Sequence, residues 1–532
     1  MPASGSTPLP AFALRTTRGE QRAFPTGRPA VLAFVKEDCP TCALTLPSIE
    51  QMHRAFGADA DVLAIGQDGL EAMARAHDLT LPMLDDTALD VSFDYDIDTV
   101  PTLILATGDG RELRRIAGFD KGEWQGFVRA VAAEARAAEP DLAWDRLPDL
   151  RPGCGSKSVE PGIAERLAAR ASGSPLRARQ IEIADSADPF EFMFEQGYSD
   201  GLPLVPPTPE RVLRMLAGTR RDAQSVVAIA PPNMAPLTVE KLAANAVMAG
   251  CRPEYLPVVI AAIEAICTEE FNIHGVLATT WGAAPVIVVN GPIRHAIGMN
   301  MGLAALGSGN RANATIGRAV KLALRNVGGA RPGGVERSTL ASPGKFTMCF
   351  AEWEERSCWE PLHVERGFAA GDNVVTVFGI EASPHGIADQ TSRSARALAG
   401  SLGAGVSCVF HPKLYGQGEV LLVVCPEHVD TIARDGWSKD DVRARMQEVT
   451  ARPLRDILAD DEIGEGMLPR WYGPDGPSPE LLEKRFPKFR DPKNINIVVA
   501  GGEAGKFSAV FGGWVSGPMG SNSVSRKIEE AP

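Results

Sequence analysis

The chain has 532 residues, of which 44% are hydrophobic and 23% charged, with a formal net charge of −13. That length exceeds what one core can organise and allows about three or four domains, and the composition is that of a folded globular protein. An acidic balance without a long basic run argues against a nucleic-acid partner, and nine cysteines are too few, and odd in number, for a secreted disulfide framework, so a reducing, cytoplasmic setting is expected.

The segment Met1 to Pro8 has neither the basic patch nor the apolar run of a signal peptide, and no export is expected from it. From Phe12 to about Ala137, apolar runs alternate with helical patterns. Pro29 to Val35 reads as a buried central strand, Ala43 to Phe56 as a helix, Asp61 to Ile65 as a parallel strand, and Leu70 to His77 as a helix. Leu103 to Ala106 and Glu112 to Ile116 read as a hairpin across Gly108-Asp109-Gly110, and Lys121 to Ala138 as a closing amphipathic helix.

Residues 139 to 152 are rich in Pro and Asp, and residues 160 to 190 read as helical and charged. Beyond Pro189, short strands (Val286 to Asn290, Val374 to Phe378, Val420 to Cys425, Ile495 to Ala500) alternate with helices over Leu237 to Met248, Tyr255 to Cys267 and Ala312 to Asn326. Gly275 to Ile293 is apolar, but Gly282, Pro285, Asn290, Gly291 and Pro292 interrupt it, so no membrane span is expected. The expected class is α/β. A unit over 8–138 has a central mixed sheet flanked by helices, a linker with Cys154 and a helical segment covers 139–189, and a larger α/β or α+β domain covers 190–532.

Cys39-Pro40-Thr41-Cys42 stands between a strand and a helix. Disulfide exchange needs an ionised attacking sulfur and a second thiol close enough to resolve the mixed disulfide. Cys39 would meet the free N–H groups and positive dipole end of the helix, and Cys42 would lie one turn deeper. Cys39 is therefore read as nucleophile and Cys42 as resolver. A zinc half-site would need a second ligand pair, which the spacing does not supply, so no metal and no cofactor is expected.

The CxxC, Pro47 five residues after it, Tyr95-Asp-Ile-Asp-Thr-Val-Pro-Thr102 and Gly118 together resemble the thioredoxin superfamily, in its redoxin branch with TlpA-like proteins. The resemblance implies a thioredoxin fold, thiol redox activity, a kink proline at Pro47 and a cis proline at Pro101 beside the CxxC. It departs from the family at Asp38, where Trp is usual, and at Ala33, where thioredoxin keeps a buried acid. The Asp38 carboxylate is expected to raise the Cys39 pKa, and Glu37 or Asp38 to stand in for the missing acid. A reductant or oxidant dedicated to one target, rather than a general-purpose thioredoxin, is therefore expected. A peroxiredoxin-like antioxidant shares the fold, but Lys36 stands where that branch normally has Thr or Ser.

Cys154, in Pro152-Gly-Cys-Gly-Ser-Lys157, is expected to be exposed and mobile, either a redox relay for Cys39 or a linker cysteine without a role. In the large region, His274 is placed just before a strand. Asn310 and Arg311 lie in a Gly-rich loop that opens a helix, which suits either an anion or a simple helix cap. Lys345, Cys349 and Glu352 are candidates for acid/base or nucleophilic work on one face, with inert core as the alternative for Cys349. From about residue 150 the chain also resembles large domains associated with the UGSC (seleno)protein family, although Lys157 replaces the final cysteine of that motif. That resemblance implies a redox context and supplies no substrate. Two functions stay open: a thiol-disulfide oxidoreductase with an intramolecular disulfide partner in the C-terminal domain, or a lyase or hydrolase acting on a small anionic substrate with an accessory redoxin module.

Overall fold

Strand β3 (Ala30–Val35) is buried along its whole length, which explains its unbroken apolar sequence. In the computed structural model it is the middle strand of a five-stranded sheet, in the order β5 (Met83–Asp85), β4 (Asp61–Gly66), β3, β7 (Thr102–Ala106), β8 (Glu112–Ala117). β3, β4 and β5 run parallel, while β7 is antiparallel to β3 and to β8. A hairpin of β1 (Phe12–Arg15) and β2 (Gln21–Phe24) precedes them.

The helices around this sheet are α1 (Pro40–Phe56), α2 (Leu70–Ala76), α3 (Asp90–Asp94) and α4 (Lys121–Ala135). α1 begins at Pro40, whose fixed φ and missing N–H suit the first helical position, and carries Pro47 inside. α4 is capped by the Asp120 carboxylate, which accepts from the Glu123 amide.

The structure describes residues 8–530 apart from 161, 162, 165, 166, 168–170, 172, 182, 185 and 186, and the chain divides into units 1–182 and 183–532. The helical segment expected over 160–190 therefore falls partly outside the described residues, as does the reading made of residues 1–7.

The stretch expected to be a linker is, in its middle, part of the N-terminal unit. β10 (Leu150–Arg151) pairs with β9 (Phe119–Asp120), and β11 (Cys154–Gly155) pairs with β6 (Thr99–Val100). The loop between them is held by Thr41 Oγ1, which donates to the Pro152 carbonyl at 2.7 Å. Gln67 Nε2 donates to Ser156 Oγ at 2.6 Å, its Oε1 accepts from the Lys157 amide at 3.0 Å, and Lys157 pairs with Asp68.

Two glycines permit this docking. A Cβ on Gly153 would stand 2.3 Å from Thr99 Cγ2, and one on Gly118, which has φ +71°, would stand 2.8 Å from the Gly153 nitrogen.

The larger unit is α/β. One four-stranded sheet has the order β15 (Cys349–Ala351), β14 (Ala283–Asn290), β16 (Val374–Glu381), β23 (Val524–Lys527). The other has the order β17 (His385–Ala388), β22 (Phe507–Phe511), β18 (Val420–Val424), β21 (Ile495–Val499), with β18 and β21 parallel. Phe350 and Phe511 stack at 6.4 Å within a core to which both sheets contribute. Two short antiparallel pairs stand apart: β12 (Val226–Ala230) with β13 (Ala235–Thr238), and β19 (Arg452–Pro453) with β20 (Arg485–Phe486). The expected helices occur as Val239–Ala249, Leu256–Ile266 and Arg311–Asn326.

Candidate functional site

Three sulfurs converge where β3 ends, α1 begins and the Pro101 loop turns. Cys39 is the N-cap residue of α1, and its Sγ accepts the Cys42 amide at 3.2 Å. As a thiol it donates to the Val100 carbonyl at 3.4 Å, and the Val100–Pro101 bond is cis. Across the β6–β11 pair, Cys154 is in register with that same Val100. Cys39 and Cys42 are buried, and Cys154 is half-buried.

This arrangement divides the labour between the sulfurs. The hydrogen bond from the Cys42 thiol, with smaller help from the Cys154 thiol and from backbone N–H groups of Cys42 and Thr41, overcomes burial and draws Cys39 down to about 5. The same bond to Cys39, and then burial, push Cys42 far up, so the proton of the pair stays on the inner sulfur. Burial, followed by the bond to Cys39, raises Cys154.

Two expectations about this site are corrected. Asp38 does not oppose the thiolate: its side chain is 70% exposed and lies 3.3 Å from Lys36 Nζ, so solvent and a cation screen it. Cys154 is not a free-swinging thiol, because backbone pairing to residues more than fifty positions earlier holds it in place.

In the larger unit the expected constellations do not form. His274 sits within the helix Ile273–Ala278, on the exposed side, rather than at a strand entrance. Asn310 is the N-cap of the helix Arg311–Asn326 and accepts the Asn313 amide. Arg311 donates to the Gly250 carbonyl at 2.9 Å, so the loop is a cap rather than an anion cradle.

Lys345 pairs with Glu336 at 2.7 Å, while Glu352 is wholly buried and accepts from Asn290 Nδ2 at 2.7 Å and the Leu362 amide at 2.9 Å. Cys349 is buried in β15, where burial raises its thiol pKa. The three have different partners because a 3-10 turn, a strand and the chain beyond it turn them apart.

The sequence reading placed Cys425 at the end of a strand and gave it no chemistry. It caps the helix Pro426–Ala433, and His428 lies one turn along, with its Nδ1 2.7 Å from Ser508 Oγ and its Nε2 3.1 Å from the Asp389 carbonyl. Ser508 Oγ also lies 3.8 Å from Cys425 Sγ. Burial works to raise this thiol, but the His428 contact outweighs it and the pKa falls below the ordinary value. The signal was a strand running into Cys-Pro at a helix start, as at Cys39-Pro40. Cys408 is exposed. Among the described residues no group of three or more His, Cys, Asp or Glu side chains is placed to hold a metal ion, and no helix is long and apolar enough to cross a membrane.

Residues 6–113 match the AhpC/TSA family. The sporulation thiol-disulfide oxidoreductase A of Bacillus subtilis (strain 168) is 28% identical over 108 residues, which are 19% of this chain and 66% of that protein. Among solved structures, a secreted Mycobacterium tuberculosis disulfide oxidoreductase homologous to E. coli DsbE is 23% identical, with a TM-score of 0.21 over 23% of this chain and 95% of its own. StoA from Bacillus subtilis is 22% identical, with a TM-score of 0.19 over 21% of this chain and 91% of its own. The N-terminal region is thus a thioredoxin-like redoxin domain joined to a large α/β region.

Proposed function

We propose that the chain is a thiol-disulfide oxidoreductase in which Cys39 attacks, Cys42 resolves and Cys154 is a built-in exchange partner. The Cys39 thiolate attacks one sulfur of a disulfide, which releases the other as a thiolate and forms a mixed disulfide. Cys42 then gives up its proton and attacks Cys39 Sγ, expelling the second thiolate. Two electrons and the Cys42 proton pass from the ionised pair to the two leaving sulfurs, the second leaving thiolate taking its proton from solvent, and the reverse steps oxidise a dithiol. The observation that carries the reading is the convergence of a helix-capping thiol, the carbonyl before the cis proline and a third thiol in register with that carbonyl.

Cys154 meets β6 as an added antiparallel strand, which is how a peptide substrate docks on a sheet edge. Dedication to the large region belongs to the same proposal. Covalent linkage raises the effective concentration of one part for the other to about the millimolar range, and the exposed Cys358 offers an accessible thiol there. A cytoplasmic setting is also part of the proposal, supported by the odd and sparse cysteines.

The test is Cys42→Ser under mild oxidation, followed by non-reducing peptide mapping. A Cys39–Cys154 disulfide is expected, with a Cys39–Cys358 adduct marking transfer to the large region. A Cys39/Cys42 pair that stays reduced under every oxidant in the wild-type chain would refute the reading.

A further inference from the structure

The larger unit contains a cavity of about 770 Å³, within the range of small-molecule sites. Much of its wall is apolar, including Leu277, Leu324 and Phe346, and Leu340 at its edge is 92% exposed, an apolar surface that nothing in the unit covers. Its two carboxylates are already matched: Glu336 pairs with Lys345, and Asp200 takes a two-pronged bond from Arg318 at 2.8 and 2.9 Å.

Three further cations in the wall, Lys321, Arg325 and Arg337, are in no ion pair among the described residues. Lys321 and Arg325, four residues apart on the helix Arg311–Asn326, project from the same side. Neither has a carboxylate partner among the described residues; Arg325 Nη2 donates to the Gly197 carbonyl at 3.4 Å, while its Nε is buried without a hydrogen-bond partner. A cation half withdrawn from water without a counter-charge is costly, and an acidic group in the cavity would supply that charge.

We propose that this cavity binds an organic acid with an apolar body, whose acidic group is held by Arg325 and Lys321 and whose body lies against Leu324, Leu340 and Phe346. Burial, and then the charge of Lys345, draw Lys321 down to about 7, against the pull of Glu336. Arg325 on the same helix and Arg337 in the wall add positive charge, while Asp200 is engaged by Arg318. An anion beside Lys321 favours the ammonium form and raises that value. Binding near pH 7.5 therefore takes up a proton. Affinity is full below pH 7 and declines as pH rises through the raised value. The inference is independent of the thiol chemistry.

The probe is 2-naphthoate, titrated calorimetrically into the full chain in buffers of different ionisation enthalpy, with the neutral 2-naphthylmethanol as control. The expected result is that naphthoate binds with uptake of a fraction of a proton. Lys321→Met should abolish the uptake, and Arg325→Met should weaken binding about tenfold to a hundredfold. No binding at millimolar naphthoate, equal binding of the neutral control, or binding without proton uptake by the wild-type chain would overturn the proposal. The last readout needs no variant to fold.

Discussion

Cys154 and Val100 face each other across an antiparallel pair, and the Val100 carbonyl is also the group that the Cys39 thiol addresses at 3.4 Å. One backbone carbonyl thus brings the Cys39 sulfur and a third thiol to the same place. Replacing Cys154 by Ser should leave the Cys39/Cys42 disulfide able to form. In a Cys42→Ser background, the same replacement should remove the fast intramolecular disulfide, as read by non-reducing peptide mapping.

The Cys39 thiolate should persist to low pH. Alkylation of the reduced chain by iodoacetamide should follow a titration with a midpoint of about 5, and reactivity should be lost as pH falls through that value. Because the Cys42 thiol is the largest stabilising influence, Cys42→Ala should move the midpoint upward by more than Cys154→Ala does.

Gly153→Ala should lift β11 from β6, since the new Cβ would stand 2.3 Å from Thr99 Cγ2 and 2.8 Å from the Val100 carbonyl oxygen. The expected cost is about 1 to 3 kcal/mol of stability in thermal or urea unfolding, with a slower Cys39–Cys154 exchange. Gly155→Ala has open space at the same strand and should change neither quantity.

Cys425 should be the second reactive thiol. If His428 holds its proton low, mass-spectrometric mapping of alkylation should show Cys425 labelled at neutral pH ahead of Cys251 and Cys267, whose thiols burial pushes up to about 12. His428→Asn should return Cys425 to the slow group.

Burial raises the Glu352 carboxyl pKa, and both its Oε1 and the Asn290 Oδ1 lack partners. A raised carboxyl keeps its proton in the folded state while the unfolded chain releases it. Stability is therefore present below the unfolded value and is lost as pH rises through the folded one. Glu352→Gln should thus gain about 1 kcal/mol or more relative to wild type at pH 8 and little at pH 4, in urea titrations at the two pH values.

The surroundings of Cys39 and Cys42 were legible along the chain, because they obey local rules. An apolar run of six makes a buried strand, proline opens a helix, a capping cysteine meets free amides, and a bond before proline, as at Pro101, reaches cis cheaply. The strands and helices of the large region were legible for the same reason. The surroundings of Cys154, Lys321 and Cys425 emerge only from the fold. The pairing of Cys154 with Val100 spans 54 positions, and His428 meets Ser508 from 80 positions away. Lys321 and Arg325 lie on one helix, but it is the chain from 330 to 346 that makes a cavity wall around them. Long-range pairing and enclosure set which charges lose water and which thiols gain partners. No spacing within a segment encodes either.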